Sequence, residues 1–323
     1  MKPENREYQL GLLWALLLLV SLSANAQAFP TKSVRFLVGS VGSGSDLMAR
    51  SLAPGLSQRW GQPVVIENRP QPVIHAAIVA KATPDGYTLL MGQFSSHASP
   101  PSLYKNLAYD PVKDFAPITL VSRSALLLVA HPFIPAATVQ EFIVYVRQRP
   151  GVVRYAAQSA SSNGRLTMEL FRNRAGLDML YVPYRSPAMS LQALLAQEAD
   201  VSFLSIAASI SNVRAGKLKA YGITSKTRFS KAPDIPTLIE SGFPGFEATL
   251  WFAVFAPART PPNLVKKLNS DIVGILNREA IRSALLAQGS EVSPSTPEEL
   301  AMFVENEIQR WGVVIRAAGI KPE

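Results

Sequence analysis

Strand-type and helix-type segments alternate along the chain, and this alternation constrains the fold more than any other feature of the sequence. Residues 34–38 form a run of β-forming residues, followed by a Gly/Ser-rich stretch at 39–45. A helical pattern then places Met48, Leu52 and Leu56 on one face. Units of this kind are typical of a parallel sheet covered by helices, so the sequence predicts an α/β fold.

A second series of such units occupies the middle of the chain. Predicted strands at 153–156, 179–183 and 200–204 alternate there with predicted helices at 139–149, 162–174 and 188–197. The chain is thus expected to form two lobes of similar construction.

Two strands are expected to join these lobes. Two apolar stretches at 117–121 and 126–130 precede the second series, and we interpret the second stretch as a strand that leaves the first lobe. The segment 251–256 is predicted to be the strand that returns. Lobe I would then comprise residues 29–125 and 252–323, and lobe II residues 126–251.

The clearest predicted helix lies at the C-terminal end. Thr296 can cap it, Pro297 suits its first turn, and Glu299 lies three residues after the cap. Its apolar residues recur at helical spacing: Leu300, Phe303, Val304, Ile308, Trp311 and Ile315. We expect this stripe to pack against the core.

The first 28 residues have the pattern of an export signal. Charged residues near the start are followed by an apolar run at 10–22 and by the small-x-small sequence at 24–26. The run is short for a membrane span. We therefore expect a signal peptide over residues 1–28 and a periplasmic location, with a retained membrane anchor as the alternative.

Composition excludes several classes of function. The chain has no Cys, which excludes disulfides, thiolate catalysis and metal sites with Cys ligands. Its net charge is +9, but no Lys/Arg run with interleaved aromatic residues indicates a nucleic-acid partner. The three histidines lack partners at metal-binding spacing. We predict no metal, no cofactor and no catalytic residues.

Four loops are candidates for a binding site. In open α/β sheets, ligands lie beyond the carboxyl ends of strands and against the N-termini of helices. The loops that meet this condition are 39–46, 93–99, 158–165 and 184–187. The first allows close approach of a ligand at its glycines but matches no nucleotide-binding motif, and a simple capped turn is the alternative.

Arg165 lies at the start of the predicted helix at 162–174. A cation in the first turn of a helix opposes the helix dipole. Either the side chain reaches solvent, or an anion offsets the cost.

Several ordered segments resemble one known family, the substrate-binding proteins of tripartite tricarboxylate transporters, often called the Bug family. The longest matches are Gly-Gln-Pro-Val-Val-Ile-Glu-Asn-Arg-Pro at 61–70, Pro-Asp-Gly-Tyr-Thr-Leu-Leu at 84–90 and Tyr-Asp-Pro-Val-Lys-Asp-Phe-Ala-Pro at 109–117. Shorter matches lie at 182–184, 215–218, 233–237, 245–248, 251–252 and 318–322. The likeness covers nearly all of the chain after the predicted signal peptide.

The resemblance implies a two-lobed periplasmic binding fold of the second topological type, a Venus flytrap, that acts without catalysis. It implies a small carboxylate-containing ligand and the membrane permease subunits of a tripartite transporter as partners, and we expect a monomer. By position, the resemblance carries ligand binding to Ser43, Gly44, Ser45, Ser95, Ser96, Ser161, Ser162, Asn163 and Arg165. Tyr184, in the fourth loop, is a further candidate.

Three positions depart from the family pattern. The loop at 39–45 is shorter than the usual Pro-Phe-x-Pro-Gly-Gly sequence, and an acidic residue that is common near Leu204 is absent. A glycine-rich segment is replaced by the bulkier loop 71–78. If that loop faces the cleft, Val73 and Ile74 favour a monocarboxylate with an apolar body; the alternative is that it lies outside the cleft.

Two other functions remain open from the sequence alone. A ligand sensor that presents its closed form to a membrane kinase would have the same fold as a transport protein. A secreted hydrolase that uses Ser and His is a more remote alternative, because the members of a catalytic triad need not be adjacent in sequence.

Overall fold

Ten strands form one continuous sheet in the computed structural model, which describes residues 29–159 and 161–322. The strands are β1 (Val34–Val38), β2 (Val64–Asn68), β3 (Thr88–Gln93), β4 (Phe115–Ala130), β5 (Arg154–Ala157), β6 (Leu180–Pro183), β7 (Val201–Ser205), β8 (Lys219–Ile223), β9 (Thr249–Pro257) and β10 (Glu291–Val292). Their order is β2-β1-β3-β9-β4-β7-β5-β6, and β8 and β10 also pair with β4. Two groups of strands, β2-β1-β3 on one side and β7-β5-β6 on the other, therefore meet at β4 and β9.

Helices connect most of these strands. They are α1 (Gly44–Trp60), α2 (Pro72–Ala80), α3 (Phe94–His97), α4 (Pro100–Leu103), α5 (Val139–Arg147), α6 (Asn163–Ala175), α7 (Pro187–Leu195), α8 (Ile206–Arg214), α9 (Pro262–Leu276), α10 (Glu279–Ala287) and α11 (Pro297–Ala317). The pairs β1–β2, β1–β3, β5–β6 and β5–β7 are parallel. The predicted α/β construction is confirmed.

Helix α1 follows the local rules from which it was predicted. Ser43 caps it, and Met48, Leu52 and Leu56 are buried on one face. The helix ends at Gly61, which has a left-handed φ of 63° that glycine adopts without strain.

Strand β4 includes both apolar stretches at 117–121 and 126–130, of which only the second was interpreted as a strand. It is a single strand of 16 residues. The polar residues between the two apolar stretches do not interrupt it, because their side chains have partners. Ser122 Oγ donates to Met48 Sδ (3.3 Å), and Ser124 Oγ donates to the carbonyl of Gly289 (2.6 Å).

The pairing of β4 changes along its length. From Phe115 to Ala125 it pairs with β9, and from Leu126 to Ala130 it pairs with β7. Strand β8 joins β4 over the same second portion. One strand thus belongs to both groups.

The C-terminal helix α11 has the predicted capping box between Thr296 and Glu299. Its apolar stripe packs in the largest core cluster, where Leu300, Trp311 and Ile315 are almost completely buried. The indoles of Trp251, on β9, and Trp311 both donate to the same carboxylate oxygen of Glu307, at 3.0 and 3.1 Å. The bond from Trp251 attaches α11 to the central strand β9, and the bond from Trp311 lies within the helix.

Helix α2 replaces the loop that was expected at 71–78. Pro72 occupies the first helical position, where its missing N–H is not needed, and His75, Ala76 and Val79 are buried. The adjacent Val73 and Ile74 line a separate groove with residues 104 and 106–109, and neither lines the cleft described below. The alternative that this segment lies outside the cleft is therefore the one that the structure supports, and the condition for the predicted monocarboxylate preference is not met.

The predicted signal peptide at 1–28 lies outside the described residues. Within 29–159 and 161–322, no helix has both the length and the apolar character needed to cross a membrane.

Candidate functional site

A cleft of about 710 Å³ lies where the two groups of strands meet. One side is formed by α1, by the end of β3 with α3, and by the segment after α10: Gly44, Leu47, Met48, Gln93, Phe94, Ser95, Gln288 and Ser290. The other side is formed by the starts of α6, α7 and α8: Ser162, Asn163, Pro187, Ser205 and Ala207. The floor comes from β4 and β9: Ser124, Leu250, Trp251 and Phe252.

Besides the short α3, four helices begin at this cleft: α1, α6, α7 and α8. Each is capped by a serine whose hydroxyl accepts a backbone N–H of the first turn, namely Ser43, Ser162, Ser186 and Ser205. The N-terminus of a helix carries partial positive charge and unpaired N–H groups. The cleft wall is therefore suited to an anion.

The loop before α1 is held in shape by Asp46, whose side chain is buried. Its carboxylate accepts from the backbone N–H of Gly42 (2.8 Å), from Arg50 Nε (2.9 Å) and from Asn68 Nδ2 (2.8 Å). Burial by itself would raise the pKa of Asp46, but the hydrogen bonds from Arg50, Asn68 and Gly42 outweigh it and hold the pKa below its ordinary value. Asn68 also donates to the carbonyl of Gly39 (2.9 Å), so both ends of the loop are fixed.

Helix α6 is attached to the floor of the cleft by Asn163. Asn163 is 6% exposed, and its side chain donates from Nδ2 to the carbonyl of Thr249 (3.1 Å) and accepts at Oδ1 from Thr167 Oγ1 (3.1 Å). Both ends of the amide are therefore occupied, and the position of the helix start relative to β9 is defined.

The structure brings four of the predicted site residues together in the cleft wall: Gly44, Ser95, Ser162 and Asn163. Each of the four loops selected from the sequence contributes at least one residue to the wall, the fourth through Pro187. The loops selected by the rule that ligands lie beyond strand ends therefore surround the cleft, and ligand contact at their residues stays a prediction.

Other predicted site residues use their side chains within the protein. Ser45 is fully buried and accepts from the N–H of Gly39 (3.0 Å). Ser96 is fully buried; its Oγ accepts from the N–H of Gln93 (2.9 Å) and donates to the carbonyl of that residue (3.0 Å). Ser43 caps α1, and Ser161 Oγ lies 3.2 Å from Ser159 Oγ. These four residues are not part of the cleft wall, although they flank residues that are.

Arg165 has protein partners that explain its position. Its Nε donates to Glu169 Oε1 (2.8 Å), and its guanidinium lies 3.5 Å from the centre of the Tyr181 ring. Glu169 also accepts from Arg172 (3.0 Å) and from the hydroxyl of Tyr155. The anion that offsets the cation in the first turn is therefore Glu169, one turn further along α6. Direct contact of Arg165 with a ligand stays a prediction.

Tyr184 lies beside the cleft without forming its wall. Its backbone N–H donates to the carbonyl of Ala157 (2.9 Å), and its ring packs against the apolar cluster around β7 and β8. Its contact with a ligand also stays a prediction.

Several wall residues were not predicted from the sequence. Ser205 directly follows the buried part of β7 and caps α8, so the strand-end rule could have found it. Gln288 and Ser290 reach the cleft because β10 pairs with β4, at Glu291↔Arg123 and Val292↔Ser122. No local pattern predicts a pairing across that distance in sequence.

A Ser-His contact occurs beside the cleft, between Ser96 Oγ and His97 Nδ1 at 2.9 Å. Both side chains are fully buried, and His97 Nε2 has no hydrogen-bond partner among the described residues. Burial, with a smaller contribution from His75, lowers the pKa of His97 to about 3. A pair that is closed to substrates and not oriented by a carboxylate gives no support to hydrolysis.

Two groups of strands that share β4, with a cleft between them walled by helix N-termini, define a two-lobed α/β binding protein. The chain belongs to the tripartite tricarboxylate transporter family of receptors, whose sequence profile matches residues 48–320. The predicted resemblance and the predicted periplasmic-binding fold are confirmed.

Relatives of known structure share the fold over nearly all of the chain. Rpa4515 from R. palustris, solved with adipate, is 34% identical with a TM-score of 0.81, over 91% of this chain and 100% of its own. MatC from Rhodopseudomonas palustris, solved with bound malate, is 33% identical with a TM-score of 0.77, over 89% and 100%. In a comparison of sequences alone, the protein BugT from Bordetella pertussis is 34% identical over 306 residues, which cover 94% of this chain and 94% of BugT.

Proposed function

We propose that the chain captures a small carboxylate in the periplasm and delivers it to the membrane permease subunits of a tripartite transporter. The observation that carries this proposal is the convergence of four helix N-termini on one cleft, because each offers unpaired N–H groups to an anion. The adipate and malate found in two relatives are ligands of this chemical class. No catalytic step is part of the proposal, and the chain acts as a monomer.

The ligand carboxylate would be held by the start of α1 and by the hydroxyl and amide groups opposite it. We assign these contacts to Gly44 and Ser95 on the side of α1, and to Ser162, the backbone N–H of Asn163 and Ser205 on the other side. The ligand would then lie between lobe I, which comprises residues 29–125 and 252–323, and lobe II, which comprises residues 126–251. The change of pairing partner between Ala125 and Leu126 supports this division, because each lobe then keeps its own part of β4.

A thermal-shift and calorimetric screen of small carboxylic acids tests the binding function. A ligand at a hundred times its Kd stabilises the native state by about 2.7 kcal/mol. We expect at least one carboxylate in the panel to produce such a shift. If no carboxylate does, carboxylate capture is excluded.

An uptake measurement separates transport from signalling. Cells that lack the gene should lose uptake of the identified ligand and regain it when the chain is restored. Uptake that is unaffected by the deletion, together with loss of a transcriptional response to the ligand, would favour the sensor alternative.

A further inference from the structure

A second concave surface lies between α2 and the segment 104–109. It has a volume of about 350 Å³, and none of the ten residues that line it lines the cleft. We call it the α2 groove. Ile74 and Ile78, one turn apart on the same face of α2, are 47% and 36% exposed in it. Tyr104 and Leu107 form part of the opposite side.

The composition of α2 is unusual for a helix at the surface. Its nine residues include no charged residue, and the one polar side chain among them, that of His75, is fully buried. A surface helix ordinarily places polar residues on the face that meets water. Single exposed apolar side chains are common, but a contiguous apolar groove marks a site of interaction. The α2 groove therefore has the character of a docking surface.

Two lysines flank the groove without acidic partners. Lys81 lines it just after α2, and Lys105 lies between two residues of its opposite side. Both are exposed, and neither forms an ion pair within residues 29–159 and 161–322, whereas Lys113 lies 3.7 Å from Asp110. By charge complementarity, the groove suits an apolar segment that also carries carboxylates.

The size of the groove favours a transient partner over a second copy of the chain. A stable interface of standard size uses about 20–30 residues on each side. Ten residues line the α2 groove. A contact of this size suits a partner that binds and dissociates in each cycle.

The groove is joined to the cleft through one hydrogen bond. The hydroxyl of Tyr109, which lines the groove, donates to the carbonyl of Ser96 in α3 (2.5 Å). The same short helix places Phe94 and Ser95 in the cleft wall. A partner seated in the groove therefore lies next to an element of the cleft, as expected of the protein that takes over the ligand.

We propose that the α2 groove docks an acidic, apolar segment from a periplasmic loop of a permease subunit. The proposal rests on the proposed function and names the surface that meets the membrane partner. Periplasmic loops of membrane proteins are poor in Lys and Arg, because these residues are concentrated in cytoplasmic loops. Such a loop brings few cations toward Lys81 and Lys105, and the net charge of +9 adds to the attraction of its carboxylates.

Uptake by cells that lack the gene and carry a variant tests the proposal. The probe is the tightest-binding acid of a calorimetric panel that includes adipate, malate, succinate and citrate, used in radiolabelled form. The variant Ile74→Glu places a carboxylate in the groove, in the first turn of α2, where a helix accepts it. We expect the uptake rate at limiting probe to fall at least fivefold. The melting temperature should equal that of the parent, and the Kd for the probe should stay within twofold.

The matched control is Val144→Glu. Val144 lies on α5, a helix that also has nine residues, and is 54% exposed. It lines neither the cleft nor the α2 groove. Val144→Glu should therefore support uptake within twofold of the parental rate.

A second pair of variants tests the charges and leaves the apolar lining intact. Lys81→Glu combined with Lys105→Glu should lower uptake at least fivefold, because the carboxylates of the partner would then be repelled. The control combines Lys217→Glu with Lys266→Glu, at two exposed lysines elsewhere, and changes the net charge equally. It should leave uptake within twofold. An equal loss in both double variants would show a general effect of net charge and would overturn the proposal.

The outcomes distinguish the docking surface from the proposed function. If no acid of the panel binds, or if deletion of the gene leaves uptake unchanged, the proposed function fails and the docking surface fails with it. If uptake depends on the chain, but Ile74→Glu or the Lys81 and Lys105 double variant keeps the parental rate, the docking proposal fails and the proposed function stands.

Two further measurements test for a different occupant of the groove. We expect no binding of the parent to vesicles of phosphatidylethanolamine and phosphatidylglycerol, and a monomer in sedimentation. Vesicle binding that Ile74→Glu abolishes would assign the groove to a lipid surface. A dimer that Ile74→Glu dissociates would assign it to a second copy of the chain. Either result contradicts docking of a permease segment.

Discussion

The ring of Phe252 packs against the Cα atom of Gly44 so closely that a Cβ atom at residue 44 would overlap it. Gly44 is the first residue of α1, and Phe252 lies on β9, between Gln93 of β3 and Ser122 of β4. The contact sets the distance from the start of the helix to the floor of the cleft. Glycine is required at this point for space, since its φ is not in the left-handed region.

The first prediction concerns Gly44→Ala. The added methyl group must displace either the ring or the helix start, and overpacking of this kind costs about 1–3 kcal/mol of stability. We expect the affinity for the carboxylate ligand to fall at least tenfold in calorimetry, because the N–H groups at the start of α1 move.

The matched control is Gly274→Ala in α9. A Cβ there meets only Arg59 Nη1, at 3.8 Å, so the substitution should stabilise the helix by about 0.5–1 kcal/mol. Equal ligand affinity in Gly44→Ala and the parent would show that the start of α1 does not contact the ligand.

The second prediction concerns Arg165→Ala. Glu169 then keeps its ion pair with Arg172 but loses the charge-assisted hydrogen bond from Arg165. The free energy of unfolding should therefore fall by about 2 kcal/mol. Ligand affinity should change less than threefold, because the guanidinium is engaged by Glu169 and Tyr181. Urea unfolding and calorimetry measure the two effects separately.

Arg174→Ala on the same helix is the control, since Arg174 is exposed, donates one hydrogen bond, to the carbonyl of Pro244, and lies 5.6 Å from the centre of the Phe246 ring. A loss of about 2 kcal/mol or more in binding by Arg165→Ala would instead establish the direct contact with a ligand carboxylate that the sequence suggested.

The third prediction concerns the buried histidines. Burial lowers the pKa of His75 to about 4 despite its contact with the carbonyl of Arg69, and lowers the pKa of His97 to about 3. In the unfolded chain both titrate near 6.5. Below pH 6.5 the unfolded state therefore binds more protons than the folded state. The contribution of these two histidines to the free energy of unfolding is complete above that pH and is lost as the pH drops toward 4 and 3.

Each histidine should add up to about 1.4 kcal/mol per pH unit to the slope of the unfolding free energy between pH 4.5 and 6. In His75→Asn the amide can keep the contact with Arg69, and the slope should decrease by the contribution of one proton. Urea titrations at several pH values measure it. A slope identical to that of the parent would contradict the assignment.

The fourth prediction concerns Glu307→Ala. The substitution leaves the indole N–H groups of Trp251 and Trp311 without their acceptor in the core. We expect a loss of about 3 kcal/mol, since each buried donor without a partner costs on the order of 1–3 kcal/mol. Glu305→Ala, on the exposed side of α11, should cost less than about 0.5 kcal/mol.

Local signals predicted most of the fold because the elements concerned are specified within a few residues. Helix α1 has its cap, its apolar face and its terminating glycine inside 19 consecutive positions, 43–61. Helix α2 was not recognised, although Pro72 at its first position and the buried His75, Ala76 and Val79 are ordinary helix signals. Comparison with a glycine-rich family segment favoured a loop there.

The candidate site was predictable where it depends on strand ends and not where it depends on distant pairing. Gly44, Ser95 and Ser162 follow strands, and the position of such residues in a parallel sheet is known in advance. Ser124 lies inside β4, and Ser290 enters through the pairing of β10 with β4. These contacts join segments more than 160 residues apart, and only the assembled sheet defines them.

The position of β9 between β3 and β4 affects the order in which the two halves of the sheet can form during synthesis. During synthesis β3 and the first portion of β4 emerge more than a hundred residues before β9. Until residue 257 is made, the edge of β3 and that portion of β4 both lack the strand that pairs with them. The middle of the chain can form its own parallel sheet much earlier, because β5, β6 and β7 lie between residues 154 and 205. The two halves of the cleft are therefore expected to mature at different times, with the half that carries α1 finished last.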